Sequence, residues 1–192
     1  MTKVYDLWIG GKKTQAVSGA LREIRDPANG ELLASVPEAG REDVKLAVEA
    51  AREAFDSGPW RRTTALDRGK LLFKLAELIR AHGKQLAELD TRNCGKPLAE
   101  AEFDVADAAN CFEFYGGLAT KIHGETMQVP ANSMSFVVRE PVGVCGQIIP
   151  WNFPLLMVAW KWGPALATGN TIVMKPAEQT PLSCLRLAEL AL

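Results

Sequence analysis

Two short apolar runs rich in β-branched residues, Val142 to Ile149 and Thr171 to Met174, flank a stretch from Leu155 to Ala167 that is apolar on nearly every side. Strand, helix, strand at this spacing reads as a βαβ unit, whose crossover is right-handed in nearly all proteins and brings both strand carboxyl ends to one edge of a parallel sheet. Ligands of open α/β sheets bind at that edge. The first run shows no clean alternation, so it is expected to be covered on both faces. Pro150-Trp151-Asn152-Phe153-Pro154 ends it, because each proline lacks a donor and disfavours helical geometry in the residue before it. The helix carries the single charge Lys161 and is expected to be enclosed by other elements. Gly169-Asn170 stops it, and the second run feeds directly into Lys175.

Upstream, Leu7-Trp8-Ile9, Gly10-Gly11 and Gln15-Ala16-Val17 suggest a hairpin, with a turn at Asp26-Pro27-Ala28-Asn29-Gly30. Val44, Ala47, Val48, Ala51 and Phe55 share a helical face. Leu71, Leu75, Leu78, Ile79 and His82 share another, after a capping-box pattern Thr64-x-x-Asp67. A third helix, from roughly Leu98 to Tyr115, has Ala101, Val105, Ala108, Phe112 and Tyr115 on one side. All of these are expected to be packing faces. Met127 to Val138 reads as extended, with Pro130 confining its first part to an edge.

A net charge of -1 offers no basic footprint for nucleic acid, and no apolar run long enough for a membrane is free of charge or proline. The start Met1-Thr2-Lys3-Val4-Tyr5-Asp6 has no signal-peptide apolar region, so a cytoplasmic protein is expected. Cys94, Cys111, Cys145 and Cys184 form no CxxC pair and read as reduced thiols, while His82 and His123 have no partner at metal-ligand spacing.

Pro141-Val142-Gly143-Val144, Pro150 to Pro154, Gly163-Pro164-Ala165-Leu166-Ala167-Thr168-Gly169-Asn170 and Lys175-Pro176-Ala177-Glu178-Gln179-Thr180-Pro181 together resemble the aldehyde dehydrogenase superfamily, in its order and spacing. Asn93-Cys94-Gly95-Lys96-Pro97 and His123-Gly124-Glu125 are similar to the same family, whose nearest group here is the NAD-linked retinal, aliphatic and betaine aldehyde enzymes. The resemblance implies an α/β fold in which a helical region and subunit-bridging strands, residues 1–140, precede the first βαβ part of a Rossmann-type sheet, residues 141–192. It implies NAD as cofactor, an aldehyde as substrate and a homo-oligomer in the complete enzyme. In that family a cysteine attacks the carbonyl, hydride passes to the nicotinamide, and a glutamate-activated water releases the acid. Both of those residues lie downstream of the lysine-glutamate block, so this chain is expected to resemble an amino-terminal part and to be inactive alone. A non-catalytic assembly or binding module is the alternative expectation.

Asn152 stands between two proline-containing pairs at the end of a buried strand, where two amide donors could point into a cleft. An isolated asparagine in such a loop is more often satisfied by its own Asx turn. The resemblance instead maps the family's oxyanion-stabilising asparagine onto Asn152. Lys175 and Glu178, three apart after the second strand, are spaced either for a surface ion pair or for the two hydroxyls of a ribose. The resemblance favours the ribose, and a carboxylate there repels a 2′-phosphate, which points to NAD over NADP. Ile148, Ile149, Pro150, Trp151 and Ala177 are expected to line the cofactor cleft. Phe153, Met157 and Trp160 share a helix face that suits either plain core packing or, by resemblance, a substrate tunnel.

Overall fold

The computed structural model describes residues 3–130 and 132–192. The extended reading at position 131 and the first two residues lie outside them. Backbone demand organises the amino-terminal part: β2 (Leu7–Ile9) and β3 (Lys12–Thr14) pair antiparallel across Gly10 and Gly11, both at positive φ (58° and 73°). A two-residue turn of that geometry twists with its strands and needs glycine. It also starts the return strand at Lys12, three residues earlier than the Gln15 to Val17 expected from sequence. β1 (Lys3–Val4) pairs parallel with β5 (Leu32–Pro37), and β4 (Leu21–Arg25) pairs antiparallel with it. The turn between β4 and β5 closes where Asp26 Oδ1 accepts from Ala28 N–H at 2.9 Å, as its Asx-Pro sequence dictates.

Four helices follow: α1 (Arg41–Asp56), α2 (Ala65–Ala81), α3 (Gly83–Cys94) and α4 (Leu98–Leu118). Thr64 caps α2 by accepting from Asp67 N–H at 3.2 Å. α1 turns Asp43 and Ala51 inward and leaves Val44 and Val48 exposed, so its packing face is rotated from the one expected. Leu71 is exposed as well, while Leu75 and Ile79 are buried. α3 is a separate helix from α2 and ends at Gly95, whose φ of 82° closes the turn in the left-handed region. After α4, β6 (Glu125–Met127) and β7 (Ser135–Val137) form an antiparallel hairpin.

The βαβ unit is present: β8 (Val144–Ile148), α5 (Pro154–Ala167) and β9 (Thr171–Lys175), with the strands parallel, followed by α6 (Leu182–Ala191). One core joins α2, α3, α4, α5 and α6 and includes Ile79, Leu86, Phe112, Leu155, Val158 and Leu187. A second, smaller one sets Tyr5, Ile24, Ala34 and Val36 of the first sheet against Leu182. α5 approaches α4 at Gly163, where an added Cβ would lie 2.6 Å from Tyr115 Cδ2. Expected coverage of β8 on both faces is met on one: Ile149 beyond its end is buried, whereas Gly146 and Ile148 open outward.

Candidate site at the carboxyl ends of two parallel strands

Ile148 stands opposite Lys175 in the register, and the ladder runs one step further where Ile149 N–H donates to Lys175 C=O at 3.2 Å. Both strands therefore end together, and the segments that leave them, 149–153 and 176–181, emerge side by side. The far end of the unit is pinned by Asn170. Its buried side chain accepts from Gly143 N–H at 2.9 Å and donates to Thr168 Oγ1 at 2.7 Å, while Trp60 Nε1 donates to Asn170 C=O at 3.0 Å. Fixing that end fixes the register, and the register sets what faces what at the other end.

Asn152 is exposed, and among the described residues its side-chain amide has no hydrogen-bond partner; only its carbonyl is contacted, by Cys94 Sγ at 3.7 Å. The Asx turn weighed from sequence does not form. Pro154 opens α5 at a position that needs no donor, which leaves Leu155 N–H as the first of the helix. Phe153 packs its ring under Lys96 Nζ, 4.3 Å from the centroid, and Lys96 is itself ion-paired with buried Asp104 of α4. Trp151 and Trp160 are about half exposed and Met157 is packed against the main core, so Phe153, Met157 and Trp160 form a stripe that is wet at both ends and dry in the middle.

On the other strand, Lys175 Nζ and Glu178 Oε1 lie 2.7 Å apart, both about half exposed. The hydrogen bond from Lys175 holds the Glu178 carboxyl below its ordinary range. In this chain the two make the surface ion pair that their spacing allows, and each keeps free hydrogen-bonding capacity toward solvent. Arg22 of β4 and Glu38 just after β5 form a second pair nearby, with Arg22 Nη2 donating to Glu38 Oε1 at 3.0 Å and both fields reaching Glu178. Ala177, between Lys175 and Glu178 in sequence, is buried. Lys175 stands opposite the exposed Ile148 in the register, and a Cβ added at Gly146, two residues back on β8, would meet nothing within 4 Å.

Three polar residues behind the edge escaped the sequence reading of roles. Asn93 and Asp90, one turn apart on α3, are both buried. Asn93 Nδ2 donates to Gln179 C=O at 2.8 Å, and its Oδ1 accepts from Leu182 N–H at 3.2 Å. Asp90 faces the first N–H of α5, Leu155, at 3.5 Å, and burial pushes its carboxyl up to about 6 against the opposing pull of Ser183, Leu155 N–H and Lys96. Asp104, also buried, holds Lys96. The signal available was a polar residue at a helical core position, since Leu86, Ala87, Asp90 and Asn93 share one face. Burial pushes the thiols of Cys94, Cys111 (to about 11) and Cys184 (to about 12) up, so none of these three is a thiolate at neutral pH.

A concavity of about 370 Å³ lies elsewhere, lined by Lys3, Tyr5, Gln85, Glu88, Leu89, Arg92 and Arg186. Its cations are neutralised within the chain, Lys3 and Arg186 by Glu189 and Arg92 by Asp26 and Glu31.

The aldehyde dehydrogenase family model matches residues 14–192. Betaine aldehyde dehydrogenase of Bacillus subtilis (strain 168) is 50% identical over 185 residues, 96% of this chain and 38% of that protein. The mitochondrial aldehyde dehydrogenase of Rattus norvegicus is 49% identical over 186 residues, 96% of this chain and 36% of that protein. Among solved structures, the NAD+ complex of an aldehyde dehydrogenase from Bacillus cereus superposes with a TM-score of 0.96 at 46% identity, covering 98% of this chain and 39% of that one. The chain thus spans well under half the length of these relatives.

Proposed function

Because the chain belongs to the aldehyde dehydrogenase family, we propose that the polypeptide in which it occurs oxidises an aldehyde to a carboxylic acid with NAD, and that these residues supply the oxyanion donor and the ribose-binding pair. The observation that carries this is Asn152: an asparagine whose side-chain amide has no hydrogen-bond partner among the described residues, on the segment leaving the same sheet edge as Lys175 and Glu178. NAD, when bound, accepts the hydride. Asn152 donates to the carbonyl oxygen as negative charge develops there, a contribution of about 3–4 kcal/mol for a preorganised donor. Lys175 donates to one hydroxyl of the adenosine ribose and Glu178 accepts from the other; the carboxylate disfavours a 2′-phosphate. Ile148, Ile149, Pro150, Trp151 and Ala177 form the apolar and backbone wall of that cleft. Phe153, Met157 and Trp160 face the substrate, and their aromatic and thioether groups suit an aliphatic, aromatic or quaternary-ammonium aldehyde, the last by cation–π contact.

The division of labour we propose is 1–140 for assembly and support and 141–192 for cofactor and oxyanion. One core spans both, so the division is one of role. A homo-oligomer is supported by the β6–β7 hairpin and the segment after it, which leave Met134, Phe136 and Val138 exposed. No helix among the described residues is long and apolar enough to cross a membrane; a cytoplasmic site of action is part of the proposal. The test is NADH formation from a panel of aldehydes by the polypeptide carrying this chain, with NAD and NADP compared. NAD is preferred and Glu178→Gln narrows the preference. Kinetics favouring NADP, or no aldehyde-dependent NADH, contradict the proposal.

A further inference from the structure

Glu178 is exposed, and among the described residues the side chain paired with its carboxylate is the flexible Lys175. Its position is therefore set by the backbone on either side. On the amino-terminal side the β8–β9 ladder fixes Lys175 through Ile149 N–H. On the carboxyl-terminal side a short turn, Thr180 N–H to Ala177 C=O at 3.1 Å, shapes the segment without anchoring it to the rest of the molecule. Burial of Ala177, Thr180 and Pro181 seats the segment, and Asn93 ties it down by hydrogen bonds. Its amide spans from Gln179 C=O, the residue after Glu178, to Leu182 N–H, the first of α6, and uses its donor on one and its acceptor on the other. The side chain is 97% removed from solvent, so neither bond competes with water, and Gly95 in the left-handed region ends α3 directly beyond it.

We propose that Asn93 is a positioning residue for Glu178: one buried amide in the last turn of α3 holds the 176–181 segment so that the Glu178 carboxylate meets the cofactor's ribose. This rests on the reading of Lys175 and Glu178 given above. Asparagine suits the task because a single planar group offers a donor and an acceptor on opposite sides, whereas a carboxylate in its place offers two acceptors and faces the Gln179 oxygen with the wrong one.

Asn93→Asp separates the two bonds. It keeps the acceptor for Leu182 N–H, where a negative charge is favoured at a helix amino terminus, and loses the donor to Gln179. Asn93→Ala loses both and serves as a second variant; if it does not fold, Asn93→Asp decides alone. In the polypeptide carrying this chain, titration calorimetry with NAD should show each folded variant weakened about tenfold, the scale of one net hydrogen bond. The kcat at saturating NAD should stay within about twofold, a split between binding and turnover that general loosening of the fold would not give. In the Glu178→Gln background the same Asn93→Asp change should cost no more than about twofold further, because the group it positions is gone. Wild-type affinity in Asn93→Asp, or a full tenfold loss on top of Glu178→Gln, overturns the role of Asn93. A Glu178→Gln variant that binds NAD as tightly as wild type overturns the ribose reading itself, and the two failures are thereby distinct.

Discussion

Asp90→Asn should remove a pH dependence of stability that the buried carboxyl imposes. Asp90 is fully enclosed, facing Leu155 N–H of α5, Ser183 and Cys184 of α6, Lys96 of the α3–α4 turn and Asp104 of α4. Burial outweighs the partial compensation from Ser183, Leu155 N–H and Lys96 and raises its pKa from 3.8 to about 6. The folded state therefore holds this proton more tightly than the unfolded state. Stability from this group is present at acid pH and is lost as pH rises from about 4 through 6. The whole displacement is worth about 3 kcal/mol, of which roughly 1 kcal/mol falls between pH 5 and 7. Glu38, Asp43, Asp67, Glu113 and Glu178 act in the opposite sense, but their pKa values are lowered, so their contributions are lost only as pH falls below the ordinary carboxylate range. The interval from pH 5 to 7 is consequently dominated by Asp90. Urea unfolding at pH 5, 6 and 7 should show the wild type losing about 1 kcal/mol relative to Asp90→Asn across that interval. Parallel curves for the two proteins would refute the argument, as would a wild type that gains on the variant toward pH 7.

Other outcomes follow from packing and pairing. Gly163→Ala places a Cβ 2.6 Å from Tyr115 Cδ2, near the root of the ring where rotation brings little relief. Overpacking of about 1–3 kcal/mol exceeds the gain of about 1 kcal/mol in helix propensity, so a small net loss in denaturant midpoint is expected. Asp104→Ala leaves Lys96 without its buried partner and should cost about 3–5 kcal/mol by chemical denaturation; a loss under about 1 kcal/mol would mean that the pair is solvated. Asn170→Ala removes the side-chain bonds to Gly143, Thr168 and Ala165 at the start of β8 and should cost about 2–3 kcal/mol, with early hydrogen exchange at Val144 and Thr171 as its signature.

The βαβ unit is legible in sequence to within two residues because its signals agree: β-branched runs make the strands, Pro150 and Pro154 bound the loop, and Gly169 at φ 88° ends the helix side. The third helix is legible for the same reason, since Ala101, Val105, Ala108 and Phe112 are all buried. α3 escapes because Asp90 and Asn93 occupy two of its four buried positions and break the apolar period. The rotated face of α1 escapes because alanines, not valines, make its contacts, and size alone does not reveal which side is pressed closest. For the site, sequence marks the residues that face outward, Asn152, Lys175 and Glu178. The clamps behind them come from elements far away in the chain, as in the pairing of Asn93 with Gln179, and no local pattern encodes such a contact.

Under the proposed function Asn152, whose side-chain amide has no partner among the described residues, acts on the reacting carbonyl and leaves cofactor binding to Lys175 and Glu178. Steady-state turnover and NAD affinity measured together on Asn152→Ala, in the polypeptide carrying this chain, test it most directly. A fall in kcat of about a hundredfold or more is expected, with the dissociation constant for NAD unchanged within about twofold, as for a donor used chiefly in the transition state. A kcat within about threefold of wild type, or a loss confined to NAD binding, would contradict it.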